Sequence, residues 1–131
     1  MKTTEDHILR KIRIFLVDDE RDVSLLYQTG LEQNGFLVHV FNDPVLALSS
    51  FRAGQYDLLL LDIKMPKMNG FELYREIQKI DDKVKACFIT AFVTYYESLR
   101  EIFDMRNIHC IIKKPIEISI LIQRIMAELA R

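Results

Sequence analysis

The chain has 131 residues, enough to bury roughly two-thirds of the surface its unfolded form exposes and so to build a core without covalent staples. Its 18 Lys and Arg against 19 Asp and Glu give a formal net charge of −1, which offers no electrostatic basis for direct nucleic-acid binding. No run approaches the ~20 apolar residues of a membrane span and the polar amino terminus has no apolar core, so neither a membrane nor an exported protein is expected.

In chain order, residues 12–17 form an apolar run that predicts a first strand, closed by Asp18, Asp19 and Glu20. Val23, Leu26, Tyr27, Gly30 and Leu31 then recur at helical spacing, predicting one face of an amphipathic helix that stops near Asn34 and Gly35. Residues 36–41 predict a second strand. Asp43 and Pro44 follow as an N-cap with proline at the first helical position, opening a helix to about Phe51. Residues 58–61 are apolar without a break, too few for a helix and bounded by polar residues, which predicts a strand buried on both faces. Asp62 ends that run. After the turn of Lys64, Met65, Pro66 and Lys67, Asn69 and Glu72 have the spacing of a capping box for a helix from Gly70 to about Ile80. Residues 84–89 predict a fourth strand ending at Thr90 and Ala91. Thr94 and Glu97 suggest a capping box for a fourth helix, with Leu99, Ile102 and Phe103 on its inner face. Residues 108–112 predict a fifth strand, closing on Lys113, Lys114 and Pro115. Ile118, Leu121, Ile122, Ile125, Met126 and Leu129 give a last helix its apolar stripe, which leaves Ile120 and Ala127 on the opposite side.

Five strands alternating with five helices predict an α/β fold, a doubly wound five-stranded parallel sheet with helices on both faces. One domain is expected over residues 1–131, with its core at about 11–131. The polar residues that interrupt the apolar runs fall at strand carboxyl ends: Asp18 and Asp19, Asp62, Thr90, and Lys114. In a doubly wound sheet those ends share one edge, so they can converge into a site. Taken alone, Asp62 is accounted for as a polar strand-to-loop residue; it is the set that points to chemistry. Three carboxylates ~4 Å apart repel by about 4 kcal/mol per pair at an effective dielectric near 20, so such a cluster calls for a cation. With oxygen donors and no His or Cys, a hard divalent ion, Mg²⁺, is the natural choice, and its shell is typically completed by a phosphate oxygen. Lys114 is the residue type that would neutralise phosphoryl oxygens, Thr90 a small hydroxyl donor, and Asp62 a nucleophile that could take a phosphoryl group as an acyl phosphate.

With these residues in this order, the chain resembles the receiver domain of two-component response regulators, similar to the stand-alone chemotaxis regulator in length and element order. The matching residues are Asp18 and Asp19, Asp62 with Pro66 and Gly70 four and eight positions on, Thr90 and Ala91, and Lys114 and Pro115. The resemblance implies that Asp62 is the phosphoacceptor, that Asp19 ligates Mg²⁺ directly and Asp18 through water, and that the backbone carbonyl of Lys64 completes the metal shell. It also implies a cis peptide before Pro115 that aims Lys114, not Lys113, inward. The implied partners are a sensor histidine kinase or phosphotransfer protein in the cytoplasm. An output partner or a second copy would bind through the fourth helix, fifth strand and fifth helix. Where the family usually carries an aromatic, three positions before the site lysine, this chain has Ile111, so the switch is expected to act through Thr90 and the loop after it. Lys64 and Phe92 occupy the positions that flank the path of the hydrolytic water in this family.

Two other classes compete. A haloacid-dehalogenase-type phosphatase also uses an Asp nucleophile with Mg²⁺, but needs a second Asp where this chain has Lys64. A degenerate receiver, acting as a phosphorylation-independent interaction module, usually lacks the acceptor, an acidic residue or the lysine, and this chain retains all of them. His7, His39 and His109 have no metal-spaced partners and are expected at the surface or a strand edge. Met65, Met68 and Met105 are expected to pack, and the charges of residues 79–85 to be solvated. Cys87 and Cys110 lie in apolar runs with no CxxC spacing and are expected as buried free thiols, in keeping with a reducing cytosol.

Overall fold

The computed structural model describes residues 11–99, 102–103 and 108–131; the expectations for His7 and Met105 lie outside the described residues. Its order is β1 (Arg13–Val17), α1 (Arg21–Gln33), β2 (Leu37–Phe41), α2 (Pro44–Ser50), β3 (Leu58–Asp62), α3 (Gly70–Gln78), β4 (Lys85–Thr90), α4 (Val93–Leu99), β5 (Ile111–Lys113) and α5 (Ile118–Leu129). The strands make one sheet in the order β2-β1-β3-β4-β5, and every pairing is parallel. The expected three-layer α/β/α architecture is the observed one.

Strand residues alternate between two cores. Phe15, Val17, Leu59, Leu61 and Phe88 meet residues of α2, α3 and α4, including Ala47, Phe71, Leu73, Ile77 and Leu99. Ile14, Leu16, Leu58, Leu60 and Ile89 meet Tyr27 and Leu31 of α1 and Leu121 and Ile125 of α5. Burial on both faces explains why β3 reads as unbroken leucine: Leu58, Leu59, Leu60 and Leu61 are all fully buried. The helix starts follow their caps. Asp43 accepts the N–H of Val45 at 2.9 Å with Pro44 at the first helical position. Asn69 and Glu72 make both bonds of a capping box, at 2.9 and 3.0 Å. At the end of α1, Gly35 takes φ +92°, a conformation that a side chain resists.

Several expectations are corrected. Leu26 does not face the core. It is 63% exposed, and Ser24 occupies the buried position instead, its hydroxyl donating to the Arg21 carbonyl and accepting from the Asn42 amide. Met126 is likewise 45% exposed, while Glu128 turns inward beside Arg131 at 3.8 Å. Helix α4 begins at Val93, so Thr94 is not its cap; the carbonyl of Thr94 accepts from the Ser98 hydroxyl within the helix. Strands β4 and β5 begin one and three residues later than the apolar runs suggest, and each ends one residue later because the ladder continues to the polar pair Thr90 and Lys113. Asp81 is not merely solvated: it accepts from Gly54 N–H at 2.9 Å and Lys83 N–H at 3.0 Å, which ties the α3–β4 loop to the turn before β3. Cys87 and Cys110 are not free thiols but a disulfide, with their α-carbons 4.7 Å apart. The cause is register. Phe88 pairs with Ile111, which sets the preceding residues side by side on the same face. The cysteines therefore lend no support to a reducing compartment.

Candidate functional site

The carboxyl ends of β1, β3 and β4 and the residue after β5 meet at one edge of the sheet. Asp18 is fully buried and held from several directions. Its N–H donates to the Phe41 carbonyl at 3.1 Å, its own carbonyl accepts from the Asn42 amide at 2.7 Å, and its Oδ1 accepts from the Glu20 N–H at 2.9 Å. Asp62, the last residue of β3, is 4% exposed. The backbone passes it closely at Gly70, where an added Cβ would collide with the Asp62 carbonyl oxygen. Gly70 N–H also donates to the Ile63 carbonyl at 2.8 Å, so the glycine lets α3 start directly against the site.

Lys114 reaches in from beyond β5. It is 8% exposed whereas Lys113 faces solvent, and the Lys114–Pro115 peptide is cis. The register expected from the adjacent proline is thus the observed one. The ammonium lies 2.7 Å from Asp18 Oδ2, 3.6 Å from Asp62 Oδ2 and 3.9 Å from Glu20 Oε1. Lys114 N–H donates to the Thr90 carbonyl at 2.8 Å, which fixes β5 against β4 at this edge. The buried Thr90 hydroxyl accepts from the Phe92 N–H at 2.9 Å and keeps its own proton to donate.

Burial pushes the carboxyl of Asp62 up; the Lys114 charge works against this, while the charges of Asp18 and Asp19 and a side-chain hydrogen bond with Asp19 add to it, and the result is about 8. Burial and the neighbouring acids thus favour the protonated form of Asp62, and a further cation beside it would favour the ionised one. For Lys114, burial works downward, but the bond to Asp18 and the charges of Asp62, Asp18 and Glu20 outweigh it and raise the ammonium above its ordinary value.

One carboxylate oxygen each from Asp18, Glu20 and Asp62 lies within 4.8 Å of the others. An all-carboxylate donor set with an ammonium already among it suits a hard divalent cation such as Mg²⁺. The mouth of the site is a groove of about 520 Å³ lined by Asp19, Glu20, Lys64, Met65, Pro66, Phe92 and Tyr95. There the Lys64 ammonium sits 4.4 Å from the centre of the exposed Phe92 ring and 5.6 Å from that of Tyr95.

The residues singled out from sequence therefore divide. Asp18, Asp62, Thr90 and Lys114 converge behind the mouth; Asp19 contacts Asp62 at the groove; Lys64 lies at the rim. Sequence reasoning missed Glu20, and it missed Ser24 and Asn42, which hold the end of β1. A serine within the apolar face of α1 is the signal that could have found the latter pair.

Comparisons with known proteins agree on a single family. A family model described as the response regulator receiver domain matches residues 14–126. The transcriptional regulatory protein RprY of Bacteroides fragilis is 31% identical over 121 residues, covering 92% of this chain and 50% of that protein. CpdR of Brucella abortus, a response regulator receiver protein, is 38% identical over 80 residues, covering 61% of this chain and 67% of that protein. Among solved structures, a CheY-like receiver domain from Methanospirillum hungatei superposes with a TM-score of 0.81 at 25% identity, covering 92% of this chain and 95% of that one. TrrA of Thermotoga maritima, in complex with Mg²⁺ and BeF, superposes with a TM-score of 0.75 at 28% identity, covering 88% of this chain and 97% of that one. The chain spans about half the length of RprY and of YkoG of Bacillus subtilis, at 50% and 52%.

Proposed function

The chain belongs to the response regulator receiver family, and from that premise we propose that Asp62 accepts a phosphoryl group from a sensor histidine kinase or phosphotransfer protein, with Mg²⁺ at Asp18, Asp19, Asp62 and the backbone carbonyl of Lys64. The observation that carries this reading is the meeting of a buried Asp62, a buried Asp18 and a buried ammonium, with Lys114 2.7 Å from Asp18 and 3.6 Å from Asp62. Asp19 would ligate directly and Asp18 through water. Mg²⁺, when bound, supplies positive charge that ionises Asp62 and offsets the charge of the incoming phosphoryl group.

An oxygen of ionised Asp62 attacks phosphorus. The bond from phosphorus to the donor histidine nitrogen breaks, its electron pair returns to the imidazole, and an acyl phosphate forms on Asp62. Lys114 trades its contact with Asp18 for a phosphoryl oxygen, and the Thr90 hydroxyl donates to another. Drawing Thr90 inward moves Phe92, whose N–H is bonded to the threonine hydroxyl, so the signal passes to the loop before α4 without an aromatic at Ile111. No separate substrate is turned over; the domain catalyses its own phosphorylation and slow loss of the group. This reading includes one receiver domain with a cytoplasmic location. Its output face is α4, β5 and α5, where a partner or a second copy would bind.

Incubation with acetyl phosphate and Mg²⁺ followed by intact mass measurement tests the reading. One phosphoryl adduct is expected, absent after chelation and absent in Asp62→Asn. An adduct of equal yield in that variant contradicts it.

A further inference from the structure

Resting on the receiver reading above, we propose that Glu20 is a positioning residue of the cation site, a third carboxylate that draws in the divalent ion and acts on it through its bound water. Glu20 stands at the N-cap of α1, yet its side chain makes no capping hydrogen bond. Glutamate is not a preferred cap, since short Ser, Thr, Asp and Asn side chains reach the helix N–H groups better, so beyond the general preference of a helix start for negative charge the helix gives no reason for this residue. The site does give one. The Glu20 carboxylate lies within 4.8 Å of oxygens of both Asp18 and Asp62 and 3.9 Å from the Lys114 ammonium. That ammonium bonds Asp18 at 2.7 Å and lies within ion-pair distance of Asp62 and Glu20, so the structure already seats a cation where their fields overlap.

The backbone serves the same end. Glu20 N–H donates to Asp18 Oδ1, which orients the buried carboxylate and fixes the base of the Glu20 side chain beside it. The two acids differ in setting: Asp18 is sealed inside, while Glu20 is exposed at the rim of the groove. An exposed, flexible carboxylate suits a hydrogen bond from coordinated water better than replacement of that water, because Mg²⁺ gives up its waters reluctantly. Glu20 also offers Lys114 a second anion when a divalent ion takes its place beside Asp18.

The test is calorimetric titration of the full chain with MgCl₂ at several KCl concentrations, comparing wild type with Glu20→Gln, Glu20→Asp, Glu20→Ala and Asp62→Asn. A lost outer partner typically lowers metal affinity at least about ten-fold, so Glu20→Gln and Glu20→Ala should raise the Mg²⁺ Kd by about that factor. Both should also flatten the dependence of Kd on KCl, while Glu20→Asp keeps most of the affinity. Glu20 is exposed, so these variants should fold, which circular dichroism checks. Wild-type Kd and salt dependence in both Glu20→Gln and Glu20→Ala overturn the proposal while leaving the receiver reading in place. Absence of saturable Mg²⁺ binding in wild type removes both.

Discussion

At the scale of single residues, Asp62 is set against itself. In the unfolded chain its proton leaves near the ordinary 3.8; in the folded chain, without a cation, it is held to about 8. Between those values the unfolded state binds fewer protons, so this residue lowers stability as pH rises from about 4 to about 8. Asp62→Asn should therefore melt higher than wild type near pH 8 without Mg²⁺, by about 5 °C or more, with the gap closing near pH 4. Saturating Mg²⁺ should stabilise wild type more at pH 8 than at pH 5, because binding requires the ionised carboxylate. Thermal melts across pH with and without Mg²⁺ check both; a gap independent of pH would contradict the assignment. Lys114→Ala strands the buried charge of Asp18 and should cost about 3–5 kcal/mol without Mg²⁺, whereas Lys113→Ala on the exposed side should change little, as urea titrations would show. The acidic pair, Asp62, Thr90 and Lys114 were legible in the sequence because each interrupts an apolar run at a strand end. Glu20 was not, since one more acid at a helix start is unremarkable until the Lys114 ammonium is seen beside it.

At the scale of elements, the strands and caps were legible and the helix faces only in part. Apolar runs closed by a carboxylate specify β1 and β3, and the Asn69 and Glu72 spacing specifies the start of α3, because those signals are local. Leu26 and Met126 misled because apolarity at helical spacing does not say which of two adjacent stripes meets the sheet. Packing of Gly30 against Ile118 sets the rotation, bringing α1 and α5 close enough that a Cβ at Gly30 would strike the Ile118 side chain. The cysteine pair was illegible for another reason: bonding across β4 and β5 depends on the register of two distant strands. The turn into α3 carries its own prediction. Gly70→Ala places a methyl against the Asp62 carbonyl, a backbone atom that cannot swing away, and should destabilise by about 1–3 kcal/mol in urea titration. In the loop before α4, the Phe92 ring under the Lys64 ammonium narrows the mouth of the groove. If that bulk obstructs in-line approach of water, Phe92→Ala should lose its phosphoryl group several-fold faster than the parent, followed by mass spectrometry over time. An unchanged decay rate would remove the steric account.

At the scale of the whole molecule, the sheet brings acids, hydroxyl and ammonium to one edge, and the output face proposed above consists of α4, β5 and α5. Ile120 on that surface is 42% exposed, and Arg124 bonds the Ile111 carbonyl at 3.0 Å, tying α5 to the strand. A phosphorylation signal needs only a few kcal/mol of differential affinity to shift occupancy of a partner here. Ile120→Glu should weaken self-association or partner capture by the phosphorylated chain, read by light scattering, while leaving Asp62 phosphorylation normal; unchanged association would move the interface elsewhere. All of this rests on the acyl phosphate forming at Asp62. Borohydride converts an aspartyl phosphate to homoserine, so treating the chain after acetyl phosphate and Mg²⁺ and sequencing its peptides by mass spectrometry locates the group directly. Homoserine at position 62 and at no other aspartate is the expected result; homoserine elsewhere, or none while an adduct is present, would contradict the account.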